Sequence, residues 1–159
     1  EGGNIASTGK IDELVLNQAK DNFEISTIYE SLDIKNFDIS FVKGLSLEDG
    51  CATLTKFTAY LISEGLKKID KLINIKTKNF IMCGGGRKNK VLKNYIDQFL
   101  DNKELNIKNI DEFKIDGDFV ESQAFAYLAI RCYLNLSISF PNTTRCDKPC
   151  SGGVIIKNF

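Results

Sequence analysis

Histidine and tryptophan are absent from this chain, and a single methionine is present. Without histidine, a structural zinc site would have to be built from cysteine. The five cysteines (Cys51, Cys83, Cys132, Cys146 and Cys150) are odd in number and form no CxxC pair. Such a site needs several closely spaced thiolates or imidazoles, so no structural metal is expected. The cysteines read instead as free thiols of a reducing cytoplasm. Long apolar runs are lacking too. None approaches the roughly 20 residues of a spanning helix, and no signal-peptide pattern is present, so no membrane partner is expected. Neither sign of charge dominates: 21 Lys and Arg balance 21 Asp and Glu. No global field therefore draws the chain to nucleic acid or anionic lipid. Arginine is scarce among those cations, occurring only as Arg87, Arg131 and Arg145. That lysine bias, with plentiful Ile and Asn, points to an A/T-rich coding sequence more than to a binding surface. The lone methionine is Met82, so the sequence reads as processed or as a fragment.

What is present is ordinary globular material. Apolar residues make up 43% and charged residues 26%, which argues against disorder. A chain of 159 residues can bury one proper core, and 1–159 is expected to be a single domain. Residues 1–9, with three glycines, read as a loop or strand end. Ile11, Leu14, Val15 and Ala19 recur at helical spacing within 10–20. The stretch 21–43 has no clear period. Ser46-x-x-Asp49 is close to a capping box and opens a long helix to about Ile69, with Leu47, Cys51, Leu54, Thr58 and Leu61 on one face. A strand over 79–83, a turn at Gly84–Gly86 and a helix over 88–100 follow, with Val91, Leu92, Tyr95, Ile96 and Phe99 inward. A second strand is expected over 105–110 and a last one at Val154–Ile156. The stretch 119–134 is apolar on nearly all sides, which predicts a helix buried between layers. The order helix, strand, helix, strand, helix gives an α/β fold.

Two stretches carry chemistry. In Met82-Cys83-Gly84-Gly85-Gly86-Arg87-Lys88-Asn89, a strand meets three glycines and then a helix. Glycine lets backbone N–H groups approach a ligand, and a helix start favours an anion or a polar edge. The pattern is neither a P-loop nor a dinucleotide fingerprint. Taken alone, it is either a tight turn or a ligand loop. In Asp116-Gly117-Asp118-Phe119-Val120-Glu121, the spacing of Asp118 and Glu121 suits a helix N-cap with its capping-box partner. Alternatively, Glu121 projects into a cleft to accept a substrate hydroxyl or orient a water. Spacing favours the cap.

The two stretches together, the second continuing Ser122-Gln123-Ala124-Phe125-Ala126, closely resemble the anhydro-N-acetylmuramic acid kinase family. Its members carry CGGG-x-x-N followed by a DGD-aromatic-Val-E helix. Leu47-Glu48-Asp49-Gly50-Cys51-Ala52-Thr53-Leu54-Thr55 is similar to the family's EDVQATLT helix. Phe140-Pro141-Asn142-Thr143-Thr144-Arg145-Cys146-Asp147-Lys148-Pro149 is similar to its LP-x-x-TGA-x-x-P segment. Ile28 and Tyr29 stand where the family carries Gly and Arg, and Arg145 where Gly is usual. The resemblance implies a two-lobed, actin-like (ribonuclease H-like) ATPase fold, with this chain as the C-terminal lobe. It implies a kinase that opens the 1,6-anhydro ring of anhydro-N-acetylmuramic acid with water and phosphorylates O6 from ATP, with Mg²⁺, in cytoplasmic cell-wall recycling. Gly84, Gly85, Gly86 and Asn89 would line the adenosine end, and Glu121 would be a polar active-site residue. The phosphate loop and general-base aspartate belong to an N-terminal lobe with no counterpart here. That lobe, or a homodimer partner, would be needed, and this chain alone would be inactive. Two rival readings remain: a non-catalytic nucleotide-binding or regulatory module, and a pairing module whose glycines form only a turn.

Overall fold

The computed structural model describes residues 2–23, 37–72, 78–100, 105–154 and 156. Its spine is set by Ser46, whose Oγ accepts the Asp49 N–H at 3.1 Å and starts the 26-residue helix α3 (Leu47–Leu72). Two shorter helices precede it, α1 (Asn4–Thr8) and α2 (Glu13–Asn22). Asp12 caps α2 by accepting the Val15 N–H at 3.0 Å. The α1–α2 connection is tied to α3 by two bonds. Lys10 N–H donates to Asp49 Oδ1 at 2.7 Å, and Asp12 N–H donates to the buried Thr53 Oγ1 at 3.0 Å.

After α3 come β1 (Lys78–Met82), α4 (Lys90–Leu100) and β2 (Leu105–Asn109). The strands pair in parallel, with Lys78 opposite Leu105 and Met82 opposite Asn109. Parallel strands need a crossover, and α4 supplies it. Ala59 of α3, Leu92, Ile96 and Leu100 of α4 and Leu105 of β2 form one buried cluster, flanked by Phe80, Tyr95 and Phe99. A second cluster joins Leu16 and Ala19 of α2 to Phe57 of α3, with Phe23, Phe41 and Tyr60 against it. Phe57 meets Phe41 and Phe23 edge-on, at ring centroid distances of 5.1 and 5.9 Å. A short 3₁₀ turn at Ile110–Phe113, helix α5 (Val120–Tyr133) and helix α6 (Pro141–Thr144) complete the chain.

The α/β order and both strands follow the sequence expectation; several details do not. Residues 4–8 form a helix, not a loop. The buried positions of α3 are Gly50, Ala52, Thr53, Phe57, Ala59 and Ser63, whereas Leu47 and Thr58 of the predicted face are exposed. Small side chains let neighbouring helices approach, so the contact face follows the small residues, with Phe57 the one large side chain buried on it. On α2 likewise, Leu14 is exposed and Leu16 buried. Val154 and Ile156 are exposed and in no strand. The expected irregular stretch falls largely on 24–36, and the departures at Ile28 and Tyr29 with it, outside the described residues. Arg145, where the family's glycine is usual, takes a left-handed φ of 57° as the C-cap of α6. Glycine reaches that conformation without the Cβ penalty an arginine carries.

The largest correction concerns α5. Instead of lying buried between layers, it has no buried residue, and Phe125, Tyr127, Ile130 and Tyr133 are all more than half exposed. The apolar pattern demands a covering layer, and the described residues do not supply one. Ile81 on β1 is also exposed, although parallel sheets are ordinarily covered on both faces. Truncating Ile96, which is 1% exposed, to alanine should cost about 2–5 kcal/mol in urea unfolding. Tyr133→Ala, on the open face of α5, should stay within about 0.5 kcal/mol.

Candidate functional site

Both strands of the sheet deliver their carboxyl ends to the same place, which is where open α/β sheets receive ligands. Beyond β1, Gly84 adopts φ 73°, a value that favours glycine, and its N–H donates to Gly117 O at 3.2 Å. Gly85–Lys88 then make a single 3₁₀ turn, and Asn89 caps α4 by accepting the Leu92 N–H on Oδ1 at 3.0 Å. No partner engages the Asn89 amide nitrogen among the described residues.

The three glycines differ from Gly117 in an informative way. A Cβ on Gly117 would lie 2.3 Å from Arg87 Nε, so that glycine makes room within the chain. A Cβ on Gly85 or Gly86 would meet nothing within 4 Å, and neither residue has a positive φ. Among the described residues, neither packing nor backbone conformation requires glycine at those two positions. The bare edge they form faces open space.

Arg87 is the centre of the site. Its side chain is only 3% exposed. Nε donates to Asp111 Oδ2 at 2.8 Å, and Nη1 donates to Asp118 Oδ1 at 2.7 Å and to Gly84 O at 3.0 Å. Nη2 lies 3.9 Å from Asp116 Oδ1. Lys88 Nζ reaches the other oxygen of Asp118 at 2.6 Å. The loop is braced further by Gly117 N–H donating to Asp111 Oδ1 at 2.9 Å, and Asp118 N–H to Asp116 Oδ1 at 2.9 Å. The Arg87 and Lys88 hydrogen bonds hold the Asp118 carboxyl well below its usual value of 3.8, at about 2. The Asp111 carboxyl is lowered by Arg87 and then by the Gly117 N–H. Asp118 and Asp111 in turn raise the guanidinium above its ordinary value.

These bonds correct one sequence expectation. Asp118 does not cap α5: its oxygens are taken by Arg87 and Lys88, and no side chain caps that helix start. Without that cap, Glu121 is no capping-box partner. It lies exposed on the first turn of α5, and its side chain makes no hydrogen bond or ion pair among the described residues. The reciprocal capping box in this region is Asn109 with Glu112, one turn of chain earlier. Arg87, Asp111 and Gly117 were not read from the sequence as site residues. The scarcity of arginine was the available signal, since a lysine-biased chain keeps arginine where a planar fork is needed.

The aspartates here do not suit Mg²⁺. Asp111 and Asp118 already accept from cations, and no group of three or more His, Cys, Asp or Glu is placed to hold a metal among the described residues.

The anhydro-N-acetylmuramic acid kinase family profile matches residues 3–158. The chain belongs to that family. It is 50% identical over 161 residues to the anhydro-N-acetylmuramic acid kinase of Pelagibacter ubique, covering all of this chain and 43% of that protein. The kinases of Zymomonas mobilis and Phenylobacterium zucineum are 36% and 35% identical, each over 98% of this chain and 41% of their own length. The chain thus spans about two fifths of the curated relatives it matches. Members of the anhydro-N-acetylmuramic acid kinase family are carbohydrate kinases, which are phosphotransferases. No helix among the described residues is long and apolar enough to cross a membrane.

The depressed Asp118 carboxyl sets an acid limit. A group whose folded pKa lies below its unfolded one stabilises the fold above the unfolded value, and loses that contribution as pH falls through the folded value. For Asp118 that window runs from about 4 down to about 2. Asp118→Asn should therefore lower stability at neutral pH and make the acid-side loss shallower. Chemical unfolding from about pH 5 to about pH 2 would measure both slopes.

Proposed function

We propose that this chain, 1–159, is one lobe, the C-terminal nucleotide-binding lobe, of an anhydro-N-acetylmuramic acid kinase. The complete enzyme would open the 1,6-anhydro ring of its amino sugar with water and phosphorylate O6 from ATP, in cytoplasmic cell-wall recycling. The observation that carries the reading is the bare edge of Gly85 and Gly86, which nothing in the chain itself requires. Such an edge suits a flat ligand approaching the backbone closely.

Charge supports the adenosine end of ATP over its phosphates. Arg87 and Lys88 are both committed to carboxylates, and Asp111, Asp116 and Asp118 outnumber them. A neutral, hydrogen-bonding base fits this setting better than a polyanion. Gly84, Gly85 and Gly86 would lie against it, and the Asn89 amide nitrogen is an available donor. Glu121, exposed and free of a capping role, would face the cleft to hold a substrate hydroxyl or orient the attacking water.

Phosphoryl transfer is mostly positioning and charge stabilisation from both walls of a cleft. The phosphate loop, the general base and any Mg²⁺ site would come from the companion lobe. The exposed side of α5 is the apolar surface that such a lobe would cover, since the relatives carry more than half of their length beyond what matches here.

Gly85→Val gives a clean test, because a Cβ at Gly85 meets nothing within 4 Å among the described residues and folding should be preserved. ATP should raise the melting temperature of the wild-type chain and leave that of Gly85→Val unmoved. Equal ATP stabilisation of both would remove the glycine edge from the nucleotide site. The isolated chain should show no phosphorylation of the anhydro-sugar. Turnover at an ordinary kinase rate of roughly 1–100 per second would overturn the one-lobe reading. In the complete kinase, Glu121→Gln should lower kcat while leaving the melting temperature unchanged, a loss confined to the transition state.

A further inference from the structure

We propose that Arg87 is a positioning residue that links nucleotide at the glycine turn to the placement of Glu121. The proposal rests on the nucleotide reading of that turn and goes beyond it, because a bound base and a cleft carboxylate need not otherwise be connected. Gly84 and Glu121 are far apart in sequence, and besides the Gly84–Gly117 backbone bond and the Lys88–Asp118 pair, the guanidinium is the group that touches both the turn and the loop before α5. Nη1 donates both to Gly84 O, the first carbonyl of the turn, and to Asp118 Oδ1, three residues before Glu121. Nε holds Asp111, whose second oxygen fixes the Gly117 N–H. Gly117 has no side chain because the fork lies against it. A shift of the turn's first carbonyl therefore moves the guanidinium, and with it both ends of the loop that feeds the first turn of α5.

The chemistry requires arginine. Two nitrogens of one rigid plane bond three acceptors at once, with the third 3.9 Å from Asp116, whereas a lysine offers a single point of charge on a flexible stem. A structural staple alone would not need this group. Burying a charge is costly, and apolar packing often joins two loops as well. What the fork adds is fixed direction, through short charge-assisted bonds. Asp118 is also the residue that Arg87 shares with Lys88, so Lys88, just past the bare glycines, bears on the same carboxylate.

The test is amide hydrogen exchange on the chain, with and without saturating MgADP, comparing wild type, Arg87→Lys, Asp118→Asn and Lys67→Met. Lys67 pairs with Glu64 on α3, remote from the site, and serves as the control. In wild type and the control, MgADP should slow exchange at residues 84–89 and also at 117–124. In Arg87→Lys and Asp118→Asn, the slowing should persist at 84–89 and vanish at 117–124, a separation that a purely structural role would not produce. Without nucleotide, Arg87→Lys should speed exchange of the Gly117 amide by about tenfold, the order expected for a lost bond to a charged group. Undiminished slowing at 117–124 in Arg87→Lys overturns the proposal. So does wild-type slowing confined to 84–89, which leaves the nucleotide reading standing. No slowing at 84–89 in wild type overturns the nucleotide reading itself, and the linkage falls with it.

Discussion

The guanidinium of Arg87 is the interaction on which the site depends, because it joins three backbone segments at one buried point. The turn after β1, the 3₁₀ turn after β2 and the loop before α5 each present it with an oxygen. Three further bonds join them in pairs: Gly84 N–H to Gly117 O, Gly117 N–H to Asp111 Oδ1, and Lys88 Nζ to Asp118 Oδ2. The fork offsets the cost of burial with three hydrogen bonds, and it lowers the Asp111 and Asp118 carboxyls below their ordinary value. Geometry that would otherwise drift in two exposed loops is thereby fixed to the sheet. A binding edge and a cleft carboxylate can only cooperate if their separation is fixed in this way.

That interlock sits on a body built by small residues. Ala52, Thr53, Ala59 and Ser63 on α3 let α1, α2 and α4 approach closely, and the larger apolar groups fill the spaces between. The β1–α4–β2 unit is then pressed against α3 through Leu92 and Ile96. A two-stranded parallel sheet is a small platform, and its stability comes from this helix layer more than from its own ladder.

The same molecule leaves apolar surface uncovered on α5 and on one face of β1. Soluble domains rarely leave such a helix unpartnered. Under the one-lobe reading proposed above, the uncovered face would be the inner side of a larger protein.

The sequence by itself determined the secondary structure wherever local chemistry is strong. The Ser46 cap, the long α3, the strand–glycine–helix passage at 78–100 and the second strand were all legible, because caps, periodicity and glycine act over a few residues. Family membership was legible for the same reason, from short ordered stretches. Three things were left to the tertiary structure. Which face of α3 is buried depends on which neighbours come close, and large side chains misled. Whether Asp118 caps a helix or meets a guanidinium depends on a partner 31 positions away, and Arg87 won because a charge-assisted bond outweighs a local cap. Whether α5 is buried depends on a layer that periodicity can demand but cannot supply. Pattern states what a segment requires, and only the folded chain shows whether its neighbours provide it.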